Sequence, residues 1–393
     1  MDEKPRLSVI VPVFQGAKLL PLSLGALGRS TLPRDRWELV VVDDSSTDAT
    51  ALVAARYADT VVRLPGKPHG PAYARNRGFE ASRGDIVVFV DADVCVHPET
   101  LARFVELFEK RQDVDAIFGS YDSSPTHPGL ISEFRNLLHH YVHQRDAGDA
   151  ETFWAGCGAV RAAAFRDVGM FDEWHYSRPQ IEDIELGRRL RIRGHRILLR
   201  PEIQGTHMKR WTLRDVMSTD FTHRGVPWTR LLLQEGPNRS QKMLNLRASE
   251  RLCTGLAGLG WLALLAALLL RSPIPLMMVA IAVLCIGIAN HNFYFFVARE
   301  RGLRISLLML PLHVLYYGTN VLSAIMGWAL HILLGEPQAP VTVAATVGMD
   351  IKIWPPRPSR PRAGLWSVPV GARAERPRSR SNPERSVSSS SRR

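Results

Sequence analysis

Residues 84–93 read Gly-Asp-Ile-Val-Val-Phe-Val-Asp-Ala-Asp. An apolar, partly β-branched run that stops at two carboxylates one residue apart describes a buried strand delivering charge to the edge of a sheet. In open α/β sheets ligands bind at the carboxyl ends of the strands. Two hard oxygen donors placed there, Asp91 and Asp93, suit a divalent cation that in turn carries a diphosphate. Aspartate is also common in turns, so the triplet alone leaves a polar turn open.

Working outward, Leu7–Val13, Trp37–Val42 and Thr60–Leu64 are further short apolar strands, and Ala17–Leu27, Thr47–Tyr57, Pro71–Arg83 and Pro98–Lys110 have helical spacing. Strands alternating with helices of this length predict βαβ units and a parallel sheet covered on both faces. The first strand ends Val11-Pro12-Val13-Phe14-Gln15-Gly16 and the second Val42-Asp43-Asp44-Ser45-Ser46-Thr47. An aromatic at one tip, a carboxylate pair at the next and Asp-x-Asp at the third would hold a base, a ribose and a metal-bound diphosphate. Ser46 and Thr47 read as helix caps, and Asp44 as part of the site.

Bulk composition narrows the class. The chain has 393 residues and a net charge of +12, which implies an anionic partner. Zinc-finger spacing, an RNA-recognition signature and an isolated basic helix are all missing, which argues against nucleic acid. Much of the excess charge lies in the C-terminal tail and beside apolar stretches, pointing to a membrane surface. Cys95, Cys157, Cys253 and Cys285 are far apart in apolar or small-residue surroundings. They read as free thiols in a reducing compartment. The N-terminus runs directly into a strand, so no secretory signal is expected.

The C-terminal half has a different character. Leu252–Leu270 is nearly all apolar and as long as a spanning helix needs. Pro275–Ile288, continuing toward Val297, is a second candidate; Ile305–Leu334 is a third, long enough for its first part to be interfacial or bent. The loop Arg271-Ser272-Pro273 carries one positive charge and Arg299–Arg304 three arginines. That asymmetry places the second loop and the catalytic domain in the cytoplasm of a multi-pass inner-membrane protein. The expected organisation is a domain over 1–204, an interfacial segment rich in Arg, Trp and Met over 205–250, a membrane region of two to three or more helices over 251–335, and a disordered basic tail over 336–393. A soluble helical subdomain fits 205–250 equally well.

These segments resemble the family 2 glycosyltransferases of the membrane-anchored bacterial type, inverting enzymes with the GT-A nucleotide-sugar fold, a Rossmann-like mixed sheet. The resemblance runs from about Leu7 to Lys209. It includes Pro71-Ala72-Tyr73-Ala74-Arg75-Asn76-Arg77-Gly78 before the metal strand and the acceptor-side segment Phe153-Trp154-Ala155-Gly156-Cys157-Gly158-Ala159-Val160-Arg161. Glu182-Asp183, opening Ile184-Glu185-Leu186-Gly187-Arg188-Arg189-Leu190, is similar to the family's base motif. The resemblance implies that Pro12 and Phe14 line the base pocket and that Asp44 hydrogen-bonds the base. Arg75 and Asn76 would face the nucleotide or its phosphates. Asp93 would ligate Mg²⁺ or Mn²⁺ directly, and Asp91 would contact the ribose or a metal-bound water. The partners implied are a nucleotide-sugar donor, a lipid or glycan acceptor and the membrane.

An inverting transfer needs a base to take the acceptor proton. The resemblance assigns that role to Asp183, with Glu182 as a supporting acid; helix-start acids also simply answer the macrodipole. His207 resembles the late histidine of some GT-A enzymes, completing the metal site or touching the diphosphate, with Lys209 as a second cation. His69, His97, His175 and His195 are taken as surface or packing residues, and His139, His140 and His143 as belonging to an amphipathic surface helix. Gln15-Gly16 departs from the Asn-Glu often found after the first strand. His207-Met208-Lys209-Arg210-Trp211 departs from the Gln-x-x-Arg-Trp of processive polysaccharide synthases, which favours single transfer over that alternative. A third reading, an inactive GT-A membrane scaffold, is opposed by the joint presence of Asp44, Asp91, Asp93 and Asp183.

Overall fold

The computed structural model describes residues 5–234, 247–335 and the backbone of 352–353. The basic tail expected over 336–393 otherwise lies outside the described residues, as does 235–246 of the interfacial segment. Ten strands form one sheet: β1 (Leu7–Val13), β2 (Trp37–Asp43), β3 (Thr60–Arg63), β4 (Ile86–Val90), β5 (Val94–Val96), β6 (Ala116–Tyr121), β7 (Gly148–Ala150), β8 (Cys157–Arg161), β9 (Ile197–His207) and β10 (Lys352–Ile353). Their order is β10-β3-β2-β1-β4-β8-β6-β9-β5, with β7 paired to β9.

The sheet has two halves. β3, β2, β1 and β4 run parallel, as the alternation of strands and helices predicts. β8 then pairs antiparallel with both β4 and β6, and β5 and β7 pair antiparallel with β9. Every residue of β2 and β4 is buried, because helices cover both faces. Side chains alternate between two cores: Val9, Val11, Leu39, Val41 and Val88 on one face, Ile10, Val40, Val42, Val87 and Phe89 on the other. That alternation is the period-two geometry of a strand.

Register places the functional tips. Val13 stands opposite Asp43, and Asp44 N donates to Val13 O at 2.8 Å, so Phe14 and Asp44 emerge side by side. β4 ends opposite Cys157, and Asp91 N donates to Gly156 O at 3.2 Å. β5 pairs Val94 with His207, which carries Asp93 to the end of β9.

The region after β9 is helical. Leu213–Ser218 is opened by a capping box in which Thr212 and Asp215 satisfy one another's backbone N–H groups. A π-helical turn (Thr219–Gly225) and the helix Val226–Gln234 follow. Two helices, Ala248–Leu270 and Leu303–Leu334, are long and apolar enough to cross a membrane. Between them Ile274–Ala289 and His291–Arg301 are bent by 68°, so the second expected span is a broken pair. The third is one helix with Pro311 inside it.

The helix Leu130–Arg145 joins the two regions. Phe134 and Leu137 pack against Phe293, Val297 and Met309, and Glu133 pairs with Arg301 at 2.9 Å. Its other face meets the sheet: His143 contacts Gly119 O at 3.0 Å and His140 contacts Tyr121 O at 2.8 Å. The surface helix expected for His139, His140 and His143 is therefore a buried connector. Its polar face is occupied by the sheet edge, which spacing along the helix does not reveal. All four cysteines are free thiols, as expected.

Candidate active site

One cleft of about 1790 Å³ opens along the carboxyl ends of β1, β2 and β4 and continues toward the C-terminal helices. It exceeds the roughly 300–1,000 Å³ of a usual small-molecule pocket, leaving room for two substrates. Pro12, Phe14, Asp44, Arg75, Asp91, Asp93, Glu182, Asp183 and His207 all line it. Phe14 is half exposed at the rim.

Arg75 is the hub of the carboxylate cluster. It projects from the helix Pro71–Glu80, whose start is set by Gly70 at φ +97° with Ser177 O only 2.5 Å from where a Cβ would stand. Asp44 anchors that turn, accepting from His69 N at 2.9 Å and from Gly70 N at 2.8 Å. The carboxylate expected to meet the base thus also holds the loop that launches the arginine helix. Buried Arg75 reaches Asp91 at 2.7 Å with one guanidinium nitrogen and Glu182 at 2.9 Å with another. Burial opposes its charge, but Asp91 and Glu182 outweigh it and hold the guanidinium ionised. Asp91, drawn partly out of water, has its carboxyl raised by that burial and by neighbouring Asp93, with Arg75 opposing.

Asp183 stands beside this hub on the first turn of the helix Glu182–Ile192. Its Oδ2 accepts from Ala155 N at 3.2 Å, tying it to the segment before β8. Burial, then the neighbouring Glu182 charge, push its carboxyl up to about 7, with Arg75 opposing. A carboxylate poised near neutrality in a substrate-sized cleft has the properties of a general base. Glu182 is engaged differently, between Arg75 and Gln180 N. The adjacent acids have separated: Glu182 positions Arg75, and Asp183 faces the cleft.

Asp93 and His207 form the other end, with Nε2 3.5 Å from Oδ2. Burial would raise the Asp93 carboxyl, but His207 and then Lys209 outweigh it and hold it low. His207 stacks on Tyr121, ring centroids 4.2 Å apart, and Lys209 sits over Trp211 at 4.0 Å. Among the described residues no group of three or more His, Cys, Asp or Glu is arranged to hold a metal. A carboxylate kept ionised beside an imidazole still fits a cation that takes its remaining ligands from substrate phosphates and water, as Mg²⁺ usually does.

Two expectations are corrected. Asn76 faces away from the cleft: its amide donates to Phe171 O at 2.9 Å and to Glu173 at 2.7 Å, and accepts from Phe171 N at 3.0 Å. It fastens the loop before Glu182, whereas its neighbour Arg75 turns inward. Ser46 and Thr47 cap no helix, because the helix begins at Thr50. Ser46 Oγ instead accepts from Gln15 N at 2.8 Å, and Asp48 receives Thr50 N at 3.0 Å. Tyr121, Arg135, His139 and Arg224 also line the cleft, and no local motif marks them.

The parallel half, the antiparallel half and the helices on both faces make a mixed α/β sheet of the GT-A type. Residues 8–169 match the family model described as Glycosyl transferase family 2, and the chain carries a family 2 glycosyltransferase domain. It is 26% identical over 215 residues to "Glycosyltransferase AglE" of Haloferax volcanii, covering 52% of this chain and 68% of that one. It is 29% identical over 225 residues to "Validoxylamine A glucosyltransferase" of Streptomyces hygroscopicus subsp. jinggangensis, covering 48% and 52%. Among solved structures, a mannosyltransferase from Pyrobaculum calidifontis, in complex with GDP-Man and Mn²⁺, aligns with a TM-score of 0.46 at 19% identity over 85% of this chain and 89% of that one.

Proposed function

We propose that this chain moves a sugar from a nucleotide-diphosphate sugar to a lipid, lipid-linked or other membrane-proximal acceptor, with inversion at the anomeric carbon. The observation that carries the reading is Asp183, a carboxyl lifted to about 7, in the cleft that also holds Asp91 and Asp93 and runs to the apolar helices. Phe14 and Pro12 would flank the base, and Asp91, oriented by Arg75, would meet the ribose. The acceptor hydroxyl gives its proton to Asp183 as its oxygen bonds to the anomeric carbon. The bond from that carbon to the diphosphate breaks on the opposite face, and the nucleoside diphosphate leaves. Mg²⁺ or Mn²⁺ held by Asp93 and His207 would supply Lewis-acid stabilisation of the leaving diphosphate. The two spanning-length helices and their arginine pattern support a place at the cytoplasmic face of the inner membrane.

The test uses the purified full chain in neutral detergent with a panel of UDP- and GDP-sugars. Nucleotide release that depends on added Mn²⁺ or Mg²⁺, and is lost in Asp93→Ala and Asp183→Asn, is the expected outcome. Equal turnover in the three proteins would sink the assignment.

A further inference from the structure

The imidazole proposed to complete the metal end is not held in place by a hydrogen bond of its second nitrogen. His207 is buried at the end of β9 with Nε2 toward Asp93, and among the described residues nothing hydrogen-bonds to its Nδ1. A metal-ligating histidine usually donates its second ring N–H to a carboxylate, a carbonyl or water, which fixes the ring plane. At His207 a flat face takes that place. Tyr121 stacks on the imidazole with centroids 4.2 Å apart and planes 12° apart.

An irregularity in the sheet builds this stack. β6 and β9 pair in parallel with Phe118 opposite Leu199, but beyond a shift in register Ser120 stands opposite Gln204 and Tyr121 opposite Gly205. Irregularities of this kind re-aim side chains beside active sites. Gly119 lies at the shift, where a Cβ would stand 2.2 Å from Ile203 O, so a side chain there would push the strands apart. His207, two positions beyond Gly205, then emerges on the same face as Tyr121, because strand side chains repeat every second residue. Tyr121 is itself clamped, by His139 at 4.4 Å and by Trp154 edge-on at 4.8 Å. Trp154 directly precedes Ala155, whose N–H meets Asp183. The plate behind His207 is therefore tied to the connector helix and to the segment that holds Asp183.

We propose that Tyr121 is a positioning residue for the metal end: its ring face sets the plane of His207 so that Nε2 and the Asp93 carboxylate converge on one cation. This rests on the metal placement in the glycosyltransferase reading above and adds a residue to it. The flat face does the orienting and the phenolic hydroxyl is not required. Without the face the imidazole turns freely, and the cation is left to Asp93 and the diphosphate oxygens.

The test is Mn²⁺ binding to the full chain in neutral detergent, with saturating UDP and, separately, GDP, followed by electron paramagnetic resonance. Titration gives the affinity, and nitrogen modulation of the electron spin echo reports whether an imidazole is a ligand. The wild type is expected to bind Mn²⁺ with nitrogen modulation, and Asp93→Ala to abolish binding. Tyr121→Leu should weaken Mn²⁺ by about tenfold to a hundredfold, the usual weight of a group that orients a metal ligand, and should lose the nitrogen modulation. Tyr121→Phe should bind as the wild type does. Tyr121→Met keeps the bulk without the flat face, should match Tyr121→Leu, and carries the test if that variant does not fold. Phe118→Leu is the control, a change at a fully buried ring of the same strand that packs on His143 and Phe153; it should lower heat stability and leave Mn²⁺ affinity alone. Asp93-dependent binding that is equal in the wild type, Tyr121→Leu and Tyr121→Met would overturn the proposal and leave the metal reading standing. An equal loss in Phe118→Leu would make Tyr121 ordinary packing, and a full loss in Tyr121→Phe would put the hydroxyl in the site; either overturns the proposal. Absence of Asp93-dependent Mn²⁺ binding with both nucleotides would sink the metal reading and the proposal with it.

Discussion

The parallel half of the sheet and the helical region after β9 build the same cleft in different ways. In the parallel half, each functional group sits at the tip of a strand whose neighbours are held by backbone ladders, so Phe14, Asp44 and Asp91 keep their places through register. In the helical region Arg224 is placed by side-chain packing, through Gly225 on Ser323 and through the connector helix Leu130–Arg145 between sheet and apolar bundle. Positions set by ladders tolerate changes of side chain. Positions set by close packing do not, since interiors are near crystal density.

The largest effect separating the halves is expected at Asp183, which lies where they meet. Asp183→Asn should lower turnover by about 10²–10⁴-fold, the usual weight of a general base, while donor binding measured by titration stays intact. The same residue sets the pH profile. As the proposed base Asp183 would act as the carboxylate, and its carboxyl is raised to about 7. kcat/KM should therefore rise tenfold per pH unit below that value and level off above it. An acid limb near pH 4 instead would mean that Asp183 is not the titrating base.

Next in size is Arg75→Met. It leaves Asp91 and Glu182, with Asp183 beside them, without the guanidinium that the first two share, and breaking a buried pair costs about 3–5 kcal/mol. Thermal unfolding in detergent should show a marked drop, unlike Arg224→Gln, which breaks no ion pair. Smaller still is Asn76→Ala, which removes hydrogen bonds to Phe171 and Glu173 and should cost about 1–3 kcal/mol. Nucleotide affinity measured alongside should change little, because Asn76 does not face the cleft. A loss of affinity without loss of stability would return it to the donor site.

The strand tips that line the cleft were largely legible because their signals are local. A β-branched run ending in Asp91-Ala92-Asp93, and Phe14 and Asp44 after two similar runs, report strand tips directly, and parallel register brings those tips to one edge. Asn76 was misjudged because two adjacent helical residues face different ways, and which one turns inward depends on the loop Phe171–Glu173 packed against the helix. Ser46 and Thr47 have the chemistry of caps, but the start of the helix was decided by Asp48 and Thr50. The histidines of Leu130–Arg145 have the spacing of a surface helix; only the packing of their face against the sheet edge at Gly119 and Tyr121 covers them.

The sequence by itself determined the class of fold, the paired acids at the end of β4, the Glu182-Asp183 pair and the apolar length of the C-terminal helices, because each is written in neighbouring residues or a short period. Tertiary structure decided how those acids divide their roles. Asp91 and Glu182 lie 91 positions apart in the chain and share one guanidinium, and the local environment then lifts Asp183 to about 7. It also decided that Arg224, in the cleft wall, has no ion pair among the described residues. Whether a charge is neutralised depends on what the folded chain brings within about 4 Å of it, since that contact sets the strength of an ion pair, and no stretch of local sequence contains that distance.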